Sequence, residues 1–105
     1  MAETNILVVD DEQEIADLVE IYLVSDGYKV FKASNAQDGL DILEKEDIQL
    51  CLLDIMMPGM NGLEMCKKIR ETNNIPIIML SAKSTDHEVL WIMLFLDFLN
   101  PLMSR

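Results

Sequence analysis

Four short apolar runs alternate with stretches of helical period, and this alternation constrains the fold more than any other feature of the chain. They are residues 5–9 (NILVV), 49–53 (QLCLL) and 76–80 (PIIML), together with 28–33 (YKVFKA), which reads as a strand although Lys29 and Lys32 interrupt it. Apolar runs of this length, bounded by polar residues, read as buried strands of a parallel sheet. Between the first two, residues 13–25 place Ile15, Leu18, Val19, Tyr22 and Leu23 at i, i+3, i+4, i+7 and i+8, one face of a helix. Gly27 is a suitable stop for it. Ser34 with Gln37 reads as a capping box, and the helix behind it turns Ala36, Leu40 and Leu43 inward. Residues 55–62 (IMMPGMNG) form a loop rich in turn residues. A third helix is predicted over 63–72, with Leu63, Cys66 and Ile69 inward. Pro76 stands at the first position of the fourth strand, where a missing donor is tolerated. The order β-α-β-α-β-α-β predicts an α/β fold, a doubly wound parallel sheet covered by helices on both faces.

With 105 residues the chain has room for one small domain. It carries 8 Lys+Arg against 19 Asp+Glu, a net charge of −11, and half of it is apolar. It therefore fills a core, and direct nucleic-acid binding is not expected, because phosphate binding needs a surplus of cations. Lys67, Lys68 and Arg70 read as a solvated helix face, and His87 as an incidental histidine. Cys51 and Cys66 lack metal-like spacing and are expected to be buried thiols in a reducing cytosol. No secretory signal opens the chain, and the longest apolar stretch, 89–96, is too short for a bilayer. The expectation is a cytoplasmic protein without a membrane partner.

Asp10, Asp11 and Asp54 each follow an apolar run. Taken singly, such acids are ordinary loop residues or helix caps. Taken together they mean more, because the carboxyl ends of strands form the ligand crevice of a doubly wound sheet where strand order reverses. Three converging carboxylates repel, and a hard divalent cation relieves the repulsion, which predicts a Mg²⁺ site. A carboxylate beside Mg²⁺ is a competent nucleophile toward phosphorus. Ser81, after the fourth strand, offers a hydroxyl to a phosphoryl oxygen, as do backbone N–H groups of the Met56–Met57 and Ala82 turns.

The runs LVVDDEQEI (7–15), LLDIMMPGMNGLEMCKKIR (52–70) and PIIMLSAK (76–83) resemble the receiver domain of bacterial response regulators, in particular the OmpR/PhoB subgroup and its VanR-like members. The resemblance covers residues 5–86 and implies the flavodoxin-like receiver fold. It implies that Asp54 is the phospho-acceptor and that Asp10 and Asp11 hold Mg²⁺, with Asp54 and the backbone carbonyl of Met56 completing the protein ligands. It implies that Ser81 is the switch residue contacting the phosphoryl group, and that Pro58, Gly59 and Gly62 form the turn beyond Asp54. The phosphoryl group is expected from a sensor histidine kinase, by autocatalytic transfer rather than turnover of an external substrate.

The pattern departs from the family after Asp86. Relatives carry a Lys before a late Pro, but Asn100 precedes Pro101 here and no Lys follows Lys83. The fifth strand and fifth helix are expected to be incomplete or altered, leaving residues 1–105 as a receiver with an atypical tail at 86–105 and no DNA-binding effector domain. The apolar stretch 89–99 (VLWIMLFLDFL) is expected to promote homodimer formation or self-association. A second reading is a truncated receiver that no longer switches and acts as an interaction or competing module. A small phosphatase with an Asp nucleophile is disfavoured, since Met56 stands where such enzymes place their second acid.

Overall fold

A computed structural model of the chain describes residues 4–55 and 57–80. The expected alternation is present: β1 (Asn5–Val9), α1 (Gln13–Ser25), β2 (Lys29–Ala33), α2 (Ala36–Lys45), β3 (Leu50–Asp54), α3 (Gly62–Arg70) and β4 (Ile77–Leu80). The four strands form one parallel sheet in the order β2-β1-β3-β4. β1 is therefore flanked by β2 and β3, and strand order reverses across the β1–β3 pair. The register sets Val9 beside Ala33 on one side and Leu53 on the other. The predicted fifth strand and fifth helix, the tail at 86–105 and the segment 89–99 lie outside the described residues.

The central strands β1 and β3 bury both faces, as their continuous apolar character requires. Ile6, Val8, Leu50 and Leu52 point to one side, where they pack with Ala16, Val19 and Leu23 of α1 and with Tyr28. Leu7, Val9, Cys51 and Leu53 point to the other, against Ala36 of α2, Met65 and Ile69 of α3, and Met57. Each large aliphatic side chain so enclosed contributes roughly 1.5–3 kcal/mol. β3 is buried along its whole length, Asp54 included.

The helices sit a little differently from the sequence expectation. In α1 the inward face is Ala16, Val19 and Leu23, flanked by Ile15, whereas Leu18 and Tyr22 are 37% and 40% exposed. The small Ala16 lets the helix approach the sheet, which turns the bulkier pair outward. In α3 the inward face is Gly62, Met65 and Ile69; Leu63 is 56% exposed and Cys66 lies at the flank. In α2, Ala36 and Gly39 are the buried residues, with Leu40 and Leu43 half-buried against the same core. Its cap is Asn35, one residue beyond Ser34: the Asn35 Oδ1 accepts from the Asp38 N–H at 2.9 Å. The Asn35 Nδ2 also donates to the Asp38 carboxylate at 3.1 Å, a second bond across the same cap. Gly27 closes α1 with φ of +93°, the left-handed conformation that a stop of this kind needs.

Candidate metal and phosphoryl site

Two strand ends and one turn build the site. Asp54 is the last residue of β3, and Asp10 follows β1 directly, so the Val9–Leu53 pairing brings the two side by side. The Asp10 N–H donates to the Ala33 carbonyl at 3.0 Å, which extends the β1–β2 ladder by one bond and fixes the Asp10 backbone. Asp11 begins the turn into α1 and is exposed. One carboxylate oxygen from each of Asp10, Asp11 and Asp54 lies within 4.8 Å of the others, the one such acidic group among the described residues. The sequence expectation that these three acids converge is met in the geometry.

Their environments differ. Asp10 and Asp54 are 4% and 7% exposed, while Asp11 faces solvent. Burial pushes the Asp10 carboxyl up to about 7, and the nearby charges of Asp54 and Asp11 push the same way. Against this, the Glu12 N–H donates to Asp10 Oδ1 at 2.9 Å and favours the ionised form. Asp10 and Asp54 also share a side-chain hydrogen bond. Glu12 is not singled out by the sequence pattern, although an Asp two residues before a helix N-cap is the ordinary signal for such a turn.

The loop beyond Asp54 returns closely. The Gly62 N–H donates to the Ile55 carbonyl at 3.0 Å. Asn61 and Glu64 cap α3 reciprocally, Asn61 Oδ1 accepting from the Glu64 N–H at 3.0 Å and Glu64 Oε1 from the Asn61 N–H at 3.2 Å. Met57 is buried beneath this loop. Met56 and Ser81, the other expected site residues, lie outside the described residues, as do His87 and Lys83. Lys67, Lys68 and Arg70 are exposed, as expected of a solvated face. Cys51 is buried, and that burial raises its thiol to about 12, whereas Cys66 is only half-buried.

The donor set fits a hard divalent cation. It is all oxygen and all carboxylate, and two of its members, Asp10 and Asp54, are removed from water. No helix among the described residues is long and apolar enough to cross a membrane.

Comparison with known proteins agrees with this geometry. Residues 6–93 match the family model of the response regulator receiver domain. The regulatory protein VanR of Enterococcus faecium is 53% identical over 81 residues, 77% of this chain; the chain spans 35% of the length of that relative. Chemotaxis protein CheY4 of Vibrio cholerae has a similar structure, with a TM-score of 0.75 and 29% identity over 83% of this chain and 75% of that one. Response regulator TrrA of Thermotoga maritima, solved in complex with Mg²⁺-BeF, gives a TM-score of 0.71 at 39% identity, covering 77% of this chain and 71% of that one. The same TrrA, solved with histidine kinase ThkA, gives 0.72 at 38% identity, covering 79% and 72%. The chain thus belongs to the family of response regulator receiver domains.

Proposed function

We propose that this receiver domain accepts a phosphoryl group on Asp54 from a sensor histidine kinase, with Mg²⁺ bound beside it. The observation that carries the proposal is the convergence of three carboxylates at the reversal point of the sheet, two of them buried. The Mg²⁺ complex of TrrA with BeF, and the complex of TrrA with ThkA, support the choice of cation and of donor.

Asp10, Asp11 and Asp54 would hold the cation together with the Met56 carbonyl. Bound there, Mg²⁺ supplies positive charge to offset the incoming phosphoryl oxygens. The remaining work falls to the chain itself. Asp10 gives up the proton that burial leaves on it, and the Glu12 N–H holds its Oδ1 in place. An Asp54 carboxylate oxygen attacks phosphorus as the phosphorus–nitrogen bond to the kinase histidine breaks. The imidazole leaves and takes a proton from water, and an acyl phosphate remains on Asp54. Ser81 donates its hydroxyl to a phosphoryl oxygen. The domain is consumed once per transfer and turns over no external substrate. We read it as cytoplasmic, where the free thiols Cys51 and Cys66 stay reduced.

Intact-mass measurement after incubation with Mg²⁺ and acetyl phosphate tests the reading. A gain of one phosphoryl group, absent in Asp54→Asn, is expected. A folded wild-type protein that gains nothing, or a variant that gains as much, would overturn it.

A further inference from the structure

Gly62 opens α3 and is buried against the end of β3. A Cβ placed on it would lie 2.5 Å from the Asp54 carbonyl oxygen, 2.7 Å from the Ile55 Cα and 3.0 Å from the Asp54 carbonyl carbon. All three are backbone atoms, so no rotamer change relieves the contact. Nor is α3 free to retreat. Its first turn is held by the reciprocal Asn61–Glu64 cap, its N-terminal amide is bonded to Ile55, and Met65 and Ile69 anchor it in the core.

We propose that Gly62 is a positioning residue for the phosphoryl acceptor: the missing side chain lets α3 start against the β3 terminus and so sets where the Asp54 carboxylate stands. The proposal rests on the reading of Asp54 as acceptor. The strand offers one direction of yield. Leu53 and Asp54 are paired to Met79 and Leu80, and Leu53 also to Val9, so the upstream backbone is fixed on both sides. A side chain at Gly62 therefore displaces the Asp54–Ile55 peptide, and with it the carboxylate relative to Asp10 and Asp11. In-line transfer is sensitive to such displacement.

Gly39 provides a matched control in the same core. A Cβ there would lie 2.7 Å from Met65 Cε and 2.9 Å from Val9 Cγ2. Met65 Cε is the far end of a flexible side chain, and Val9 Cγ2 belongs to a stiff side chain at the end of β1, so the strain of this substitution falls on side chains and not on the Asp54–Ile55 backbone.

The test measures the rate constant of phosphoryl uptake from acetyl phosphate at saturating Mg²⁺, together with Tm, for wild type, Gly62→Ala and Gly39→Ala. Gly62→Ala is expected to lose on the order of 10- to 100-fold in rate. Gly39→Ala is expected to lower Tm while its rate stays within about twofold of wild type. A purely structural role for Gly62 would move Tm and leave the rate alone, so a folded Gly62→Ala with the wild-type rate overturns the proposal. An equal rate loss in Gly39→Ala also overturns it. Should Gly62→Ala not fold, hydrogen exchange in the unsubstituted protein decides: the Gly62 amide is expected to be protected like those of β3, and free exchange, which would mean a helix start loose enough to admit a Cβ, overturns the proposal. A wild-type protein that takes no phosphate defeats the acceptor reading itself, an outcome distinct from a wild-type rate in the variant.

Discussion

The two ends of the β1–β3 pair are built on opposite principles. At the amino end, the Asn5 N–H donates to Gln49 Oε1 at 2.6 Å, and the Asn5 and Gln49 side-chain amides both donate to the Asp47 carbonyl, at 2.7 and 2.9 Å. These are neutral groups whose hydrogen bonds are matched within the chain. At the carboxyl end, the same two strands deliver Asp10 and Asp54 into close contact, with Asp11 alongside. One end closes the sheet with neutral groups, and the other gathers three carboxyl groups. The amino end pairs neutral donors with neutral acceptors, whereas the carboxyl end buries Asp10 and brings like charges together, both of which raise the Asp10 pKa.

Three substitutions sharpen that contrast. The largest effect is expected from Asp10→Asn. The native state retains a proton on Asp10 up to about pH 7, which the unfolded chain releases near its ordinary value of 3.8. The stability this proton provides is complete below about pH 4 and is lost as pH rises through about 7. The amide has no proton to lose. Without divalent cations, Asp10→Asn should therefore gain on wild type between pH 5 and pH 8, by on the order of 3 kcal/mol. Added Mg²⁺ should stabilise wild type and leave the variant nearly unmoved. Urea unfolding at both pH values, with chelator and with Mg²⁺, checks this; a difference that does not vary with pH would contradict the raised Asp10 pKa at the carboxyl end.

A smaller effect is expected at the amino end. Gln49→Ala removes the acceptor of the Asn5 amide and should cost about 1 kcal/mol. The loss should be the same at pH 5 and pH 8 and indifferent to Mg²⁺. A Mg²⁺-dependent loss would show that the two ends are not independent. The smallest effect belongs to Lys32, which ties β2 to α1 through Asp17 at 2.7 Å and Glu20 at 2.8 Å and holds the Asp17 carboxyl below its usual range. Lys32→Met should lower Tm less than Gln49→Ala, and the difference should fade in about 1 M salt, where screening acts within about 3 Å. A loss unchanged by salt would mean that packing of the Lys32 stem dominates.

Much of this was legible before any coordinates. Apolar runs and the switch to helical period located the four strands, α1 and α3 to within two residues, because burial on both faces leaves a central strand little choice of composition. The convergence of Asp10, Asp11 and Asp54 was legible for a topological reason: acids that follow parallel strands share one end of the sheet. The rotation of each helix was not. Leu18, Tyr22 and Leu63 read as inward because they are large and apolar, yet the buried positions are the small Ala16 and Gly62. Close approach is a property of a pair of surfaces, and one sequence stretch does not contain its partner. The cap at Asn35 escaped for a similar reason, since Ser34 and Asn35 are both acceptable until the backbone selects one.

The sheet order has a kinetic meaning as well. Ile6 pairs with Leu50, 44 positions along the chain, and β2 and α2 must be accommodated between them. Closing that span is the slow, entropically costly kind of contact in folding. Asp10 and Asp54 belong to opposite sides of it, so neither half of the chain holds the assembled cluster by itself. Uptake of a divalent ion at this site would accordingly register completion of the longest-range pairing in the described sheet, and an ion-binding signal followed during refolding would time that pairing directly.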